Sequence, residues 1–164
     1  MSSNQWNLQA RAFQIPYTPF THNFWVLAHQ HIVRDQIHGL AFSPESKTTK
    51  AIGSSADQLQ VIRDAGISWS LQPNQPLVSC ITGPEGEVKE RWQAAVNAIP
   101  AINALHLPYP DLWEHFHKKN CNSVFNTLGQ IMGIAAPSLL LSTWAPGVHL
   151  IISQDIIHHY CYQQ

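Results

Sequence analysis

The sequence predicts an α+β protein in which an antiparallel sheet packs against helices, one of which carries a cysteine at its N-terminus. Three observations support this prediction. Short segments rich in aromatic and β-branched residues fill the first half of the chain, apolar residues at helical spacing begin near residue 85, and a second helical pattern begins at Cys121. Strands that precede the helices, instead of alternating with them, indicate an antiparallel sheet with helices on one side.

The first half of the chain is expected to supply the strands. A strand is predicted before Pro16, and residues 22–28 (HNFWVLA) have the composition of a buried strand. Residues 37–42 (IHGLAF) predict a second one, and the two are expected to form a hairpin whose turn lies within residues 29–35. The remaining expectations are polar loops at 43–50 and 53–58, and strands at 58–64 (QLQVIRD) and 76–83 (PLVSCITG).

The second half of the chain is expected to supply the helices. The first helical pattern consists of Val88, Trp92, Ala95, Val96 and Ile99. Pro100 is expected to end or kink this helix because proline lacks a backbone N–H donor. A second helix is predicted over residues 121–133, with Asn120 as its N-cap and Gly133 as its C-terminal stop. Residues 148–153 (VHLIIS) are compatible with a final strand.

Length and charge set broad limits on the protein. The 164 residues fit a single domain spanning 1–164, and a hydrophobic content of 45% is enough for a core. Charged residues make up 12%, about half of the usual ~25%. With a net charge of −1, no basic field is available to bind nucleic acid or an anionic membrane. The 10 histidines predict a positive swing in charge on mild acidification.

Metal, cofactor and disulfide chemistry is not predicted. The three cysteines are odd in number and widely spaced, and no CxxC pair is present. No P-loop, GxSxG or GxGxxG motif occurs. Three histidine pairs are not accompanied by carboxylates or cysteines that would complete a ligand set, so we predict neither a metal nor a cofactor. These pairs are His29 with His31, His115 with His117, and His158 with His159.

The ends and apolar stretches of the chain predict its location. The first ten residues have neither a basic nor an apolar region, so no secretory signal peptide is expected. The longest apolar stretch falls far short of the ~20 residues that span a membrane. We therefore expect synthesis as a soluble cytoplasmic protein without a transmembrane segment, and export by a specialised secretion system stays open.

Cys121 has the placement that thiol chemistry requires. At the first turn of a helix, free N–H groups and the helix dipole favour a thiolate, so its pKa is expected to fall toward neutrality. Such a nucleophile needs an imidazole from a neighbouring rigid element. His22 and His38 lie on the two strands of the predicted hairpin, one as base and the other orienting it. The alternative is that Cys121 is a core residue, and that Gly39 only marks a bulge where the strand of His38 ends.

Residues 120–128 (NCNSVFNTL), preceded far upstream by THNFWVL, resemble the active-site segments of circularly permuted papain-like enzymes. These are the PPPDE (desumoylating isopeptidase-like), lecithin-retinol acyltransferase-like and permuted NlpC/P60 groups. The resemblance implies a papain-like fold with Cys121 as nucleophile, His22 as general base and His38 as a third, polar member. It also implies that Asn120 or Asn122 orients the site or the oxyanion.

The resemblance covers only short segments and has departures. Ser123 stands where the isopeptidase-like group usually has His or Thr, and Phe125 lies one position later than the usual aromatic residue. The insert from residue 43 to residue 117 is longer than in compact members. These departures bear on the substrate class more than on the nucleophile.

The leading functional hypothesis is a cysteine hydrolase that cleaves an amide bond as a peptidase, isopeptidase or peptidoglycan amidase. One alternative is a lipid acyltransferase or phospholipase with the same Cys–His pair, so the expected substrate is a peptide, peptidoglycan or an acyl lipid. The other is a non-catalytic binding module. Tyr109 and Trp113 are candidates to line a substrate cleft, with packing as the alternative. By analogy, such a domain acts as a bacterial secreted effector or toxin, and an immunity or inhibitor protein is then an open partner.

Overall fold

The computed structural model describes residues 5–163 and contains six strands and three α-helices in that range. The strands are β1 (Trp6–Gln14), β2 (Thr21–His29), β3 (Ile32–Ser43), β4 (Thr48–Lys50), β5 (Gln58–Arg63) and β6 (Leu77–Gly83). The helices are α1 (Glu85–Asn103), α2 (Cys121–Ile131) and α3 (Gln154–Tyr160), with short 3-10 helices at Leu112–Glu114 and Pro137–Leu139. Residues 1–4, which begin the segment in which no signal peptide is expected, and residue 164 lie outside the described residues.

All strands pair in an antiparallel manner in one sheet, in the order β4-β3-β2-β1-β6. β2 and β4 pair with successive parts of one side of β3, and β5 pairs with the opposite side. Ile37 of β3 pairs with both Trp25 of β2 and Arg63 of β5, and Ala41 pairs with both Lys50 of β4 and Leu59 of β5. The predicted β2–β3 hairpin is confirmed. Its turn consists of Gln30 and His31, which have positive φ angles of 50° and 67°, as the tight hairpin turns that match strand twist require.

β2 and β3 separate at the end of the sheet that carries the site. Their pairing runs from His29 opposite Ile32 to Trp25 opposite Ile37, and it does not include the first four residues of β2. The N-terminus of α2 lies at this gap, where the Asn122 side chain bonds the backbone of Thr21 and Asn23. The backbone edge of β2 is therefore free there to bind side chains of the helix.

The helices cover one face of the sheet and share one core with it. This core runs from Trp6 in β1 to Ile157 in α3. Trp25 of β2 stacks on Phe125 of α2, with ring centroids 4.5 Å apart, and its indole N–H donates to the Phe125 carbonyl. On the opposite face lies a smaller cluster of Phe13, Phe24, Val26 and Ala28, against which Leu71 of the segment 64–76 packs. Within residues 5–163, no helix combines the length and the apolar character needed to cross a membrane.

The structure confirms the strands predicted before Pro16, at 22–28, 37–42, 58–64 and 76–83, and both predicted helices. The predicted cap of α2 at Asn120 and its end at Gly133, which has a φ of 75°, are confirmed as well. One smaller expectation is wrong, because the end of the expected 43–50 loop forms β4 by pairing with the edge of β3. Of the two alternatives for Pro100, the end of the helix is excluded, since Pro100 lies inside α1, which continues to Asn103.

The strand suggested at residues 148–153 does not form. Side chains of α2 bind the backbone of this segment instead, because the Asn126 amide donates to the Leu150 carbonyl at 3.0 Å and the Thr127 hydroxyl accepts the Ile152 N–H at 2.8 Å. Apolar composition was compatible with a strand. However, the polar backbone groups found partners on a helix and not on another strand.

Candidate active site

Asn120 holds the start of α2. Its Oδ1 accepts the backbone N–H groups of Asn122 and Ser123 at 2.9 and 3.3 Å, and the Ser123 hydroxyl accepts the Asn120 N–H at 3.1 Å. The Asn120 amide nitrogen donates to the carbonyls of His115 and Pro146. This side chain is therefore fully engaged in positioning the helix start, and it offers no free donor to a substrate.

Asn122 joins α2 to β2. Its Oδ1 accepts the Asn23 N–H at 2.9 Å, and its amide nitrogen donates to the Thr21 carbonyl at 3.0 Å. These two backbone groups flank His22 on the edge of β2 that β3 leaves unpaired. The Asn122 side chain thus takes the place of a neighbouring strand, and the residue before it, Cys121, is held beside the His22 segment.

Gly39 joins α2 to β3. A Cβ atom at this position would lie 2.9 Å from the Cys121 Cα and 2.8 Å from the Val124 Cβ, which is closer than side chains pack. Gly39 lies in the interior of β3, opposite Val61. The reading of Gly39 as a bulge at a strand end is therefore wrong, and the close approach of the helix explains the glycine.

A chain of buried polar side chains begins at His22. The Nε2 of His22 lies 2.9 Å from the Nδ1 of His38, and the Nε2 of His38 lies 3.0 Å from the Oε1 of Gln36. The two imidazoles are nearly parallel, at 9°, with centroids 5.2 Å apart, so they meet edge to edge. The Ser70 hydroxyl donates to the same Gln36 oxygen at 2.9 Å. We call these four residues the imidazole chain.

The sequence patterns predict the two histidines of this chain as site residues but do not predict Gln36 or Ser70. The alternation of β3 places Gln36 and His38 on one face, and this was the available signal for Gln36. Ser70 lies in an irregular segment whose path over the sheet no local pattern indicates.

The Cys121 sulfur is buried, with 3% of the residue exposed, and its contact is the Tyr109 hydroxyl at 3.8 Å. Among residues 5–163, no hydrogen bond joins this sulfur to His22 or His38. The Nδ1 of His22 is likewise buried without a partner in that range. The His22 ring packs with Phe24 on the face of the sheet opposite to α2, so the gap between β2 and β3 separates it from Cys121.

Burial controls the ionisation of the three candidate groups. It raises the pKa of the Cys121 thiol to about 11, although the Tyr109 hydroxyl and the backbone N–H groups of Asn122 and Cys121 lower it. The expectation of a pKa near neutrality is therefore wrong, because removal of a thiolate from water outweighs the helix start. Burial lowers the pKa of His22 to about 4, and burial together with repulsion from His22 lowers that of His38 to about 2. All three groups are uncharged at neutral pH.

A pocket opens onto Cys121 and its described lining carries no charged side chain. Its walls include Ile15, Phe20, Ile52, Leu112 and Pro146, and Tyr109, His115, Thr21 and Asn122 add polar atoms. Of the two alternatives for Tyr109, cleft lining or packing, the structure shows that this residue lines the pocket. Trp113 is not among the residues that line it. This residue is 82% exposed, and its neighbour Leu112 lines the pocket instead.

One further histidine, His115, lines the pocket. His115 packs its ring edge against Tyr109, with centroids 5.3 Å apart. Cys80 and Cys161 are free and half-buried. In the part of the chain that the structure describes, no group of three or more His, Cys, Asp or Glu could hold a metal ion.

No protein-family model, curated protein or solved structure matches this chain. The chain is an α+β protein whose antiparallel sheet packs against three helices, and a buried cysteine at the start of α2 lies at a mostly apolar pocket. The likeness to permuted papain-like enzymes rests on the short sequence segments alone.

Proposed function

We propose that this protein is a cysteine hydrolase that cleaves an amide bond, with Cys121 as nucleophile and His22 as general base. The observation that supports this proposal most directly is the unpartnered Nδ1 of His22. It is buried on the segment of β2 that Asn122 holds to the start of α2. A buried polar atom without a partner is rare and calls for an explanation. The thiol of Cys121, the residue before Asn122, is a group that can donate a proton to this nitrogen.

The resting state in this proposal has a neutral thiol at Cys121 and a neutral imidazole at His22, because burial raises the pKa of Cys121 and lowers that of His22. Proton transfer then accompanies attack. For this step the S–H of Cys121 has to reach Nδ1 of His22 through the gap between β2 and β3, and the proton moves to Nδ1 as the sulfur–carbon bond forms. The π electrons of the substrate carbonyl move onto its oxygen.

The remaining steps return the enzyme to its starting state. His22 gives the proton to the departing amine as the C–N bond breaks, which leaves a thioester on Cys121. A water molecule then adds to the thioester carbonyl while His22 accepts its proton. The C–S bond breaks, the acid departs, and the sulfur recovers a proton from His22.

Two donors are available for the oxyanion in this proposal. The Tyr109 hydroxyl already lies 3.8 Å from the Cys121 sulfur, and the Cys121 backbone N–H opens the helix. The side-chain amides of Asn120 and Asn122 are engaged with backbone groups. We therefore assign the oxyanion to Tyr109 and the helix N-terminus, and the asparagines to positioning.

The test uses a background in which Cys80 and Cys161 are replaced by alanine, so that Cys121 is the one remaining thiol. Purified protein is incubated with a library of fluorogenic peptide amides and, separately, with a peptide aldehyde that traps catalytic thiols. We expect turnover and a covalent adduct, both lost in Cys121→Ala and in His22→Ala. Full turnover in Cys121→Ala contradicts the proposal. A background protein that neither turns over nor forms an adduct favours the binding-module alternative.

A second candidate, hydrolysis or transfer of a lipid acyl group, is favoured by the character of the pocket. Its walls are mostly apolar and carry no charged side chain, whereas peptidoglycan stem peptides carry carboxylates that a cation would bind. Large apolar side chains next to the lining residues are exposed, namely Tyr17, Trp113 and Trp144. Cleavage of phosphatidylcholine vesicles that depends on Cys121, with no cleavage of peptide amides, selects this candidate.

A further inference from the structure

We infer that Gln36 is a positioning residue that determines which nitrogen of His22 carries the proton. The inference deepens the proposed function and rests on it in one respect, the use of His22 as a base. Its own content is a hydrogen-bond pattern that can be measured without any substrate.

The orientation of the Gln36 amide follows from its partner at one end. Its Nε2 lies 2.6 Å from the Ile67 carbonyl, and a carbonyl oxygen can only accept. The NH2 group therefore faces Ile67, and the Oε1 faces the Nε2 of His38 at 3.0 Å. Because an amide oxygen cannot donate, the Nε2 of His38 must carry a proton.

The proton position then passes along the imidazole chain. A neutral imidazole has one N–H and one bare nitrogen, so the Nδ1 of His38 is bare and accepts. Its partner across 2.9 Å, the Nε2 of His22, must donate. The single proton of His22 is therefore on Nε2, and Nδ1 keeps its lone pair. That atom is the buried nitrogen without a partner in the described range.

The surroundings preserve this pattern. Gln36, His38 and Ser70 have no exposed surface, so water does not compete for their bonds. Phe24 stacks on His38 with centroids 4.4 Å apart, and Trp69 packs beside both imidazoles at 6.0 and 5.8 Å. The segment 64–76 supplies the Ile67 carbonyl, which holds the Gln36 amide in the orientation that sets the chain. The Ser70 hydroxyl of the same segment is an additional donor to the Gln36 oxygen and does not set that orientation.

The pattern also fits the charged state that the reaction would produce. When Nδ1 of His22 takes a proton, its Nε2–H still donates to His38, and the His38 Nε2–H still donates to Gln36. No other proton has to move. A purely structural Gln36 would instead only attach the segment 64–76 to β3, and the state of His22 would not depend on it.

The experiment measures the histidine tautomers by two-bond ¹H–¹⁵N correlation spectra of the full chain, labelled at the imidazole nitrogens, at neutral pH. His22→Gln and His38→Gln assign the two rings. We expect the wild-type protein to show protonated Nε2 and bare Nδ1 in both. A proton on Nδ1 of His22 in the wild type overturns the inference, and this measurement requires no variant of Gln36 to fold.

Gln36→Leu removes the acceptor, and Ser70→Ala is the matched control because it removes a neighbour of Gln36 and leaves the acceptor. In Gln36→Leu we expect signal from Nδ1-protonated His22 and a loss of Cys121-dependent turnover of at least about 10²-fold, since a catalytic imidazole held in the wrong tautomer loses up to about 10⁴. Ser70→Ala should keep the wild-type tautomer. If turnover depends on Cys121 but the tautomer is unchanged in Gln36→Leu, the inference fails and the proposed function stands. If the tautomers are as inferred and no substrate is turned over, the proposed function fails and the tautomer assignment stands.

Discussion

Gly39 of β3 and Cys121 of α2 are in direct backbone contact, with the glycine so close that a Cβ atom on it would lie 2.9 Å from the Cys121 Cα. The start of the helix therefore rests on a strand position that has no side chain. His38 is the residue before this glycine, so the same contact sets the distance between the helix start and the imidazole chain.

Gly39→Ala should force α2 away from β3. Overpacking of this kind costs about 1–3 kcal/mol, and we expect the free energy of unfolding in urea to fall by that amount. Gly86 in the first turn of α1 has no atom within 4 Å of an added Cβ, so Gly86→Ala is the matched control and should be neutral or slightly stabilising. Equal effects of the two variants would contradict the role given to the contact.

Asn122→Ala should release β2 from α2. The variant leaves the Asn23 N–H and the Thr21 carbonyl without their partner, and each unsatisfied buried group costs about 1–3 kcal/mol. Asn97→Ala, on the exposed side of α1, controls for the substitution itself and should leave stability nearly unchanged. Urea unfolding measures both. A loss below about 0.5 kcal/mol in Asn122→Ala would mean that the side chain does not join the two elements.

Alkylation of Cys121 should accelerate with pH well beyond neutrality. Because burial raises its thiol pKa to about 11, the thiolate fraction grows about tenfold per pH unit up to that value. In the Cys80→Ala/Cys161→Ala background, the iodoacetamide rate should therefore rise continuously from pH 7 to pH 10. A short cysteine peptide blocked at both ends, with an ordinary thiol pKa, should level off near its pKa of ~8.5. A plateau of the protein rate below pH 8 would indicate a thiolate–imidazolium pair instead.

The free energy of unfolding should decrease on acidification from pH 6.5 to about pH 4, because His22 is protonated in the unfolded chain at a higher pH than in the native protein. The unfolded His22 takes up a proton near pH 6.5, whereas the native ring does so near pH 4 because burial lowers its pKa. The unfolded state thus binds more protons between these values, and the free energy of unfolding falls as the pH drops from 6.5 to 4. The difference corresponds to roughly 3 kcal/mol at about 1.4 kcal/mol per pH unit.

Urea titrations at half-unit pH steps measure this slope. His22→Gln combined with His38→Gln should flatten it, while His149→Gln, at an exposed position, should retain the wild-type slope. An unchanged slope in the double variant would assign the acid sensitivity to other groups, such as His115, whose pKa burial also lowers.

Tyr109→Phe should separate packing from chemistry. The ring that fills the core beside Cys121 is retained, so the fold should remain stable, while the hydroxyl contact with the sulfur is lost. If the hydroxyl binds the oxyanion, kcat should fall about 10²-fold with KM little changed. Tyr160→Phe on α3, away from the pocket, is the control. A change confined to KM would assign Tyr109 to substrate binding.

Much of the local structure could be read from short segments. The cap of α2 depends on Asn120 and on groups two and three residues away, and the strands depend on alternation and composition along a few residues. By contrast, residues 148–153 had strand composition but found their partners on α2. The composition of a short segment carries no information about partners this far away in the chain, so the irregular structure of residues 148–153 could not be predicted.

The same division holds for the site. Capping and hairpin patterns were sufficient to predict that Cys121 begins a helix and that His22 and His38 lie on adjoining strands. The hydrogen bond from His38 to Gln36, the close approach of the helix to Gly39 and the raised thiol pKa arise from the packing of the whole chain. Each of these depends on residues far apart in the chain, and on burial, which is a property of the packed molecule.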